Sequence, residues 1–169
     1  MKLRLNPRYM RFAIKEAEKS IRTLKGGPFG ACIIRSGKIL AAAGNTVFKN
    51  DATCHAEVNA IRIASKKLKT YDLSGCVIYT TTEPCPMCFS AIHWSGISCV
   101  IFGSKIADAA KAGFNELCIS AKKMKKEGSS SVKICPGFLA KDCQKLYKEW
   151  AALEKGRLGL LDHKSPYFK

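Results

Sequence analysis

The chain has 169 residues, of which 47% are hydrophobic, and this is enough for one domain with a sizeable core. No apolar run approaches the roughly 20 residues that a membrane span needs, so we expect no transmembrane helix. The basic start, residues 1–12, lacks a long apolar stretch and a small-residue cleavage site. We therefore expect no signal peptide, a cytoplasmic protein, and a single domain over residues 1–169.

The formal charge of +16 has two interpretations. A basic surface attracts phosphate, which would suit nucleic acid or a nucleotide. Lysines scattered over helix faces also keep a protein in solution. The lysines of this chain are spread along its whole length, which slightly favours the second interpretation.

Nine cysteines is a high count, and their spacing is irregular. In a chain without a signal peptide we expect reduced thiols and no disulfide framework. Cys32, Cys76 and Cys99 lie in short apolar runs that resemble strands, so we expect them to be small buried hydrophobic residues.

The first half of the chain predicts a helix and then a hairpin. Apolar residues recur at helical spacing over 8–24, after Pro7, and "GGPFG" (26–30) ends the pattern. The runs "ACIIR" and "ILAAAG" flank the tight turn "SGK", which predicts two antiparallel strands.

The second half alternates strands and helices. We predict a helix over 55–68, a strand over 76–82, a helix over 84–96 whose prolines lie in its first turn, and a strand over 98–104. A short helix over 107–113 follows. Residues 122–131, "KKMKKEGSSS", predict an exposed loop or a fraying helix end. The last elements are a strand over 132–137 and a helix over 139–155, with one apolar stripe formed by Leu139, Cys143, Leu146 and Trp150.

This order of elements predicts the fold class. Two antiparallel strands followed by alternating strands and helices make a mixed five-stranded sheet with helices on both faces. We therefore predict an α/β protein with a three-layer α/β/α sandwich.

Two short motifs carry the chemistry. A histidine and a glutamate stand two residues apart in "CHAEV", and "PCPMC" places two cysteines three residues apart. A catalytic zinc site typically has three protein ligands and one open position, and His55, Cys85 and Cys88 satisfy that count. Amides in the first turn of a helix help to stabilise both thiolates. We therefore predict that the two helix starts meet at one metal ion.

Glu57 has the chemistry of an acid/base group beside that ion. Two steps along a helix turn a side chain by about 200°, which would point Glu57 away from His55. The first residue of a helix can, however, lie outside helical geometry. Glu57 would then reach a water on the metal without binding the metal, and it could accept that water's proton.

Each motif also has a simpler interpretation. A lone Cys-x-x-Cys can be a redox dithiol or half of a structural zinc site. A redox dithiol needs no upstream His-x-Glu, and the chain has no second Cys-x-x-Cys to complete a four-cysteine site. The combined pattern therefore favours a catalytic metal site.

"HAE" followed by "PCPMC" resembles the signature of the zinc-dependent nucleobase and nucleoside deaminases, the cytidine/deoxycytidylate deaminase superfamily. The resemblance implies a cytidine deaminase-like fold with one Zn²⁺ per subunit. It implies that His55, Cys85 and Cys88 are ligands and that Glu57 is catalytic. It also implies that zinc-activated water attacks the ring carbon bearing an exocyclic amine, which leaves as ammonia.

Over residues 8–117 the chain is most similar to the bacterial guanine deaminases and the related plant guanosine deaminases. "EPCPMC", "AIHW" and "DAAKAGFNE" carry most of this likeness. The resemblance implies that Asn45 contacts the base. The family usually has two aspartates where this chain has Asn115 and Glu116, so Glu116 keeps a carboxylate for the base edge. A solvated acidic residue at a helix end is the alternative for Glu116.

Three aromatic residues complete the predicted substrate site. Phe29 and Trp94 would wall a planar base, although core packing is the alternative for both and is favoured for Phe29. In the family the C-terminal segment, about 156–169 here, can cross to the partner subunit. Tyr167 would then close the partner's site in a homodimer, and an untethered tail is the alternative.

Other substrates stay open. "VKICPGFLAKDCQKLYKEW" resembles the last strand and helix of the tRNA adenosine deaminases, and the positive charge would suit tRNA. We rank guanine or a related aminopurine first, tRNA adenosine second and cytosine third. A non-catalytic zinc-containing module that binds nucleic acid is the alternative from another class, and the presence of Glu57 disfavours it.

Overall fold

The computed structural model describes residues 5–156. Within that range the strands are β1 Gly30–Arg35, β2 Lys38–Gly44, β3 Val77–Thr82, β4 Cys99–Ser104 and β5 Lys133–Cys135. The helices are α1 Pro7–Thr23, α2 Ala56–Leu68, α3 Pro86–Trp94, α4 Ile106–Lys111, α5 Ala121–Glu127 and α6 Ala140–Gly156. No helix of this range is long and apolar enough to cross a membrane.

The strands form one mixed sheet in the order β2-β1-β3-β4-β5. β1 runs antiparallel to both of its neighbours, whereas β3, β4 and β5 are parallel to one another. The predicted β1–β2 hairpin is confirmed. Its two turn residues, Ser36 and Gly37, both have positive φ (48° and 74°), as a tight hairpin turn requires.

Helices cover both faces of the sheet, which confirms the predicted α/β/α sandwich. Successive residues of β1 point to opposite faces. Ile33 lies in a buried cluster with Ala60 of α2 and Ile92 of α3. Cys32 lies in a second cluster, on the other face, with Met10 of α1 and Cys143 of α6.

Local signals account for the first helix. The Asn6 side chain accepts a hydrogen bond from the Arg8 N–H at 2.9 Å, and Pro7 occupies the first turn, where no N–H is needed. The helix is capped at its C-terminal end by Leu24, whose backbone adopts the left-handed α conformation. These bounds agree with the prediction to within one residue. The expected burial of Cys32, Cys76 and Cys99 is also confirmed.

The interpretation of residues 122–131 as a loop or fraying end was wrong for their first half, because α5 is a capped helix. The Ser120 hydroxyl accepts a hydrogen bond from the Lys123 N–H at 3.2 Å. Ala121 is buried, and Met124 packs against the core. Two apolar contacts and a cap thus stabilise this helix, although its four lysines are typical of an exposed loop.

Candidate active site

The predicted metal ligands lie at two helix starts. His55 is the N-cap of α2 and Cys85 is the N-cap of α3, and both have extended backbone, with ψ of 156° and 168°. Pro86 follows Cys85 at a position where a missing N–H costs nothing. Cys88 lies three residues further on, within the first turn, so its sulfur returns to the same end of α3 as Cys85.

The three donor atoms have the spacing of a tetrahedral zinc site. One donor atom from each of His55, Cys85 and Cys88 lies within 4.8 Å of the other two. His55 Nδ1 is 3.7 Å from Cys85 Sγ and 3.5 Å from Cys88 Sγ. Typical Zn–S and Zn–N bond lengths at a tetrahedral angle place such atoms about 3.6 Å apart. One imidazole and two sulfurs are also ligands that zinc prefers, so the residues fit the ion.

The local electrostatics favour a thiolate. The hydrogen bond from Cys88 and the neighbouring His55 outweigh burial and lower the pKa of Cys85 to about 4. The same hydrogen bond and burial raise the pKa of Cys88. Burial disfavours charge on His55, but the contacts with Cys85 and then the charge of Glu57 raise its pKa overall. The two cysteines therefore supply one thiolate, that of Cys85, and the thiolate is the form of cysteine that binds a metal.

Glu57 points into the same site and is only 7% exposed. His55 stands outside the helix, so the two side chains are not separated by the rotation of a regular helix. The Cys88 thiol donates to Glu57 Oε2 at 3.5 Å. Burial, and then the negative charge of Cys85, raise the pKa of Glu57 to about 7. Such a carboxyl can both take and give a proton near neutral pH.

Two small cavities adjoin these groups. The first, about 20 Å³, lies beside Glu57 and Cys85. The second, about 70 Å³, lies beside Asn45. Both are lined by Phe29, His55 and Glu116. The groups that bind the metal therefore face the same space as a carboxylate and an aromatic ring.

Asn45 lines the second cavity and is 3% exposed. Its Oδ1 accepts a hydrogen bond from the Val47 N–H at 3.1 Å, which orients the amide. A Cβ on Gly26 would collide with the side chain and backbone of Asn45. The "GGPFG" segment therefore needs glycine at this position so that it can pack against Asn45.

Aromatic rings form one wall of the cavities. Phe29 packs edge-on against Phe114 at 4.9 Å between ring centroids, and against Tyr147 at 6.3 Å. The Tyr147 hydroxyl hydrogen-bonds with Thr82 at 2.7 Å and with Ser104 at 2.8 Å. Phe29 thus packs in an aromatic cluster and lines the cavities as well, so its two interpretations are compatible.

Glu116 is half-buried. It lines both cavities, and burial, followed by the negative charge of Cys85, raises its pKa. The charge of His55 acts in the opposite direction. The Glu116 carboxylate is therefore close enough to the metal ligands to be influenced by them.

One predicted substrate contact, Trp94, is not brought to this site. Trp94 is the last residue of α3, is 76% exposed, and is not among the residues lining either cavity. Within residues 5–156, Trp94 therefore does not form a wall of the predicted substrate site. Tyr167 and the predicted subunit swap of residues 156–169 fall almost entirely outside the described range and stay predictions. His93, to which the sequence assigned no role, has its Nδ1 3.0 Å from the Ser130 hydroxyl.

Other residues line the cavities without having been predicted. Phe48 and Phe114 border the second cavity, and Glu83 borders the first. Phe114 stands in "AGF", two residues before Glu116, so the segment was noticed but its ring was not. Glu83 had a weak signal only, as an acidic residue between a strand end and Pro84.

The geometry agrees with comparison to known families. The family model for the cytidine and deoxycytidylate deaminase zinc-binding region matches residues 4–104. The chain belongs to this deaminase family. It is accordingly a hydrolytic deaminase, and the cluster of His55, Cys85 and Cys88 is its zinc site.

Relatives of this deaminase have different named substrates. Guanine deaminase of Bacillus subtilis is 44% identical over 109 residues, which is 64% of this chain and 70% of that protein. A probable cytosine deaminase of Schizosaccharomyces pombe is 43% identical over 96 residues, 56% of this chain and 57% of that one. A tRNA-specific adenosine deaminase of Aquifex aeolicus is 41% identical over 98 residues, 57% and 64% of the two chains.

Solved structures extend the likeness of the deaminase beyond the zinc motif. A guanine deaminase from Nitrosomonas europaea superposes with a TM-score of 0.79 at 28% identity, covering 89% of this chain and 86% of that one. The chain therefore shares the deaminase fold over most of its length, while the named activities of its relatives differ.

Proposed function

We propose that this deaminase hydrolyses the exocyclic amine of guanine, or of a related aminopurine, and releases ammonia. The proposal is supported by Glu116, whose carboxylate lines both cavities beside the metal ligands. Relatives named guanine deaminase, one at 44% identity, give it further support.

The chemistry of the base edge explains why Glu116 favours guanine. A carboxylate accepts hydrogen bonds and, when ionised, donates none. Free guanine has ring N–H donors that remain when its amine faces the metal. The base of adenosine has no ring N–H, so the half-buried Glu116 carboxylate would have no partner there. A buried polar group left without a partner costs binding energy, and this makes polar pockets selective.

The roles of the residues follow from their positions. Zinc, when bound, supplies the Lewis acid that makes water nucleophilic near neutral pH. The Glu57 carboxylate takes one proton from the attacking water and delivers it to a ring nitrogen; it then takes the second proton of that water and delivers it to the departing amine. Asn45 orients the base through its fixed amide, and Phe29 covers one face of the ring. Guanine and water thus give xanthine and ammonia.

A tRNA adenosine is the second candidate substrate. Lysines crowd the exposed side of α5, at Lys122, Lys123 and Lys126, where phosphates would find positive charge. Relatives named tRNA-specific adenosine deaminase support this candidate. Contacts between lysines and phosphates give affinity but do not select a base. We therefore rank tRNA adenosine below guanine as the substrate. A homodimer and a cytoplasmic location remain predictions.

Ammonia release from a panel of substrates tests the proposal. The zinc-loaded protein is incubated with guanine, guanosine, adenine, cytosine, an aminotriazine and a tRNA anticodon arm. We expect the highest kcat/KM with guanine. Higher turnover of the tRNA arm would overturn the guanine assignment in favour of the second candidate, and higher turnover of cytosine would favour the third.

A further inference from the structure

Glu83 lies where the metal-binding segment meets the substrate-binding segment. It follows the last residue of β3 and precedes Pro84 and Cys85. Its backbone N–H donates to the Ser104 carbonyl at the end of β4, at 2.8 Å. Its side chain is buried, with the residue only 8% exposed. A carboxylate in such a place needs partners.

Its partners are two backbone amides from different helices. Glu83 Oε1 accepts from the Ala121 N–H at 2.9 Å, and Oε2 accepts from the Ile106 N–H at 3.2 Å. Ile106 is the first residue of α4, and Ala121 is the first residue of α5. One side chain therefore holds both ends of the segment that runs from residue 106 to residue 121.

That segment contains residues that line the substrate cavity. Phe114 packs against Phe29, and Glu116 borders both cavities. Glu83 itself borders the first cavity and is two residues from Cys85. The two hydrogen bonds of Glu83 therefore link the segment that carries Glu116 to the segment that carries Cys85.

We propose that Glu83 is a positioning residue that holds the base-recognition segment 106–121 in register with the zinc site. The proposal rests on the proposed function, because it takes Glu116 as the group that reads the base. We assign Glu83 a positioning role and no proton transfer, because both of its carboxylate oxygens accept a backbone N–H. Its effect reaches the substrate through the position of Glu116.

Glu83→Gln separates this role from general support of the fold. The substituted amide keeps one acceptor oxygen, so one of the two anchors survives. Its NH₂ group then faces a backbone N–H, and two donors cannot bond to each other. One end of segment 106–121 is released, while the backbone bond from residue 83 to Ser104 is unaffected.

Two measurements on the zinc-loaded, full-length protein test the proposal. We expect amide hydrogen exchange in residues 112–120 to become faster in Glu83→Gln. We expect KM for guanine to rise on the order of 10-fold, with zinc content unchanged and a smaller change in kcat, because loss of a charged hydrogen bond weakens positioning. Glu83→Asp keeps the charge with a shorter reach and should fall between the wild type and Glu83→Gln.

Asp108→Asn is a matched control. Asp108 Oδ2 also accepts a backbone N–H, from Lys105 at 2.9 Å, and a side-chain bond from Gln144 at 3.1 Å. It supports the start of α4 but has no hydrogen bond to α5. We expect faster exchange near residues 105–111 in this variant, with exchange in 112–120 and KM for guanine unchanged.

The outcomes are separable from those of the substrate panel. Unchanged exchange in residues 112–120 of Glu83→Gln overturns the positioning role, whatever the substrate is. The role is also overturned if the KM for guanine of the zinc-loaded variant equals the wild-type value while only the unfolding temperature falls. A wild-type protein that ignores guanine instead contradicts the proposed function, and the exchange experiment still tests Glu83. If Glu83→Gln does not fold, Glu83→Asp is measured in the same way.

Discussion

The zinc-binding region and the substrate cavity of this deaminase are built in different ways. The zinc ligands come from two short motifs at two helix starts, where extended N-cap residues turn their side chains toward one point. The cavity walls come from separate segments, around residues 27–30, 45–48, 55–57, 81–85 and 114–116. Changes in the first region should therefore abolish activity, whereas changes in the second should alter it by degrees.

The largest effect is expected from Cys85→Ala. It removes one of three zinc ligands that join α2 to α3, so zinc, activity and stability should be lost together. Metal analysis by mass spectrometry, ammonia release and thermal unfolding measure the three losses. Cys118→Ala, at an exposed cysteine, is the control and should keep its zinc. Full zinc occupancy in Cys85→Ala would contradict the ligand set.

Glu57→Gln should remove catalysis and spare the metal. The amide has nearly the shape of the carboxylate but cannot take up a proton, so kcat should fall by about 10²–10⁴-fold. Zinc per chain should equal the wild-type value, because Glu57 is not needed as a ligand. Steady-state kinetics and metal analysis of the same sample decide the matter. Near-normal kcat would assign the proton transfer to another group.

Glu116→Gln tests the graded behaviour expected of the cavity. It removes the charge that accepts a ring N–H, so kcat/KM for guanine should fall by about 10–100-fold, the size of a charged hydrogen bond. Glu127→Gln is the matched control, because Glu127 is exposed at the end of α5. Equal kinetics in both variants would mean that Glu116 does not read the base.

The smallest effect is expected from Tyr147→Phe, behind the cavity wall. The variant loses hydroxyl contacts with Thr82 and Ser104 but keeps the ring that packs on Phe29. We expect a cost of about 1–2 kcal/mol, or a fall in Tm of about 2–8 °C, with little change in KM. Tyr71→Phe, on a side chain that is 82% exposed, should leave the unfolding temperature unchanged.

Local patterns in the sequence determined much of this protein. The hairpin turn, the start of α1 and the metal-binding motifs all depend on residues within a few positions of one another, so they can be predicted from spacing. The lysine-rich helix α5 could not be predicted in this way, because its cap and its two core contacts lie among charged residues that are typical of a loop. The roles proposed for Asn45 and Glu116 depend on the resemblance to a family.

Tertiary structure alone decided which side chains line the two cavities. Phe114 packs against Phe29, and Glu83 accepts hydrogen bonds from the first residues of α4 and α5, over separations along the chain that no periodicity predicts. Trp94 stands in a promising motif, yet the rotation of α3 leaves it on the surface. The metal site depends on two local motifs, at two helix starts, that meet at one point. A cavity forms only when all the segments that make its walls are in place.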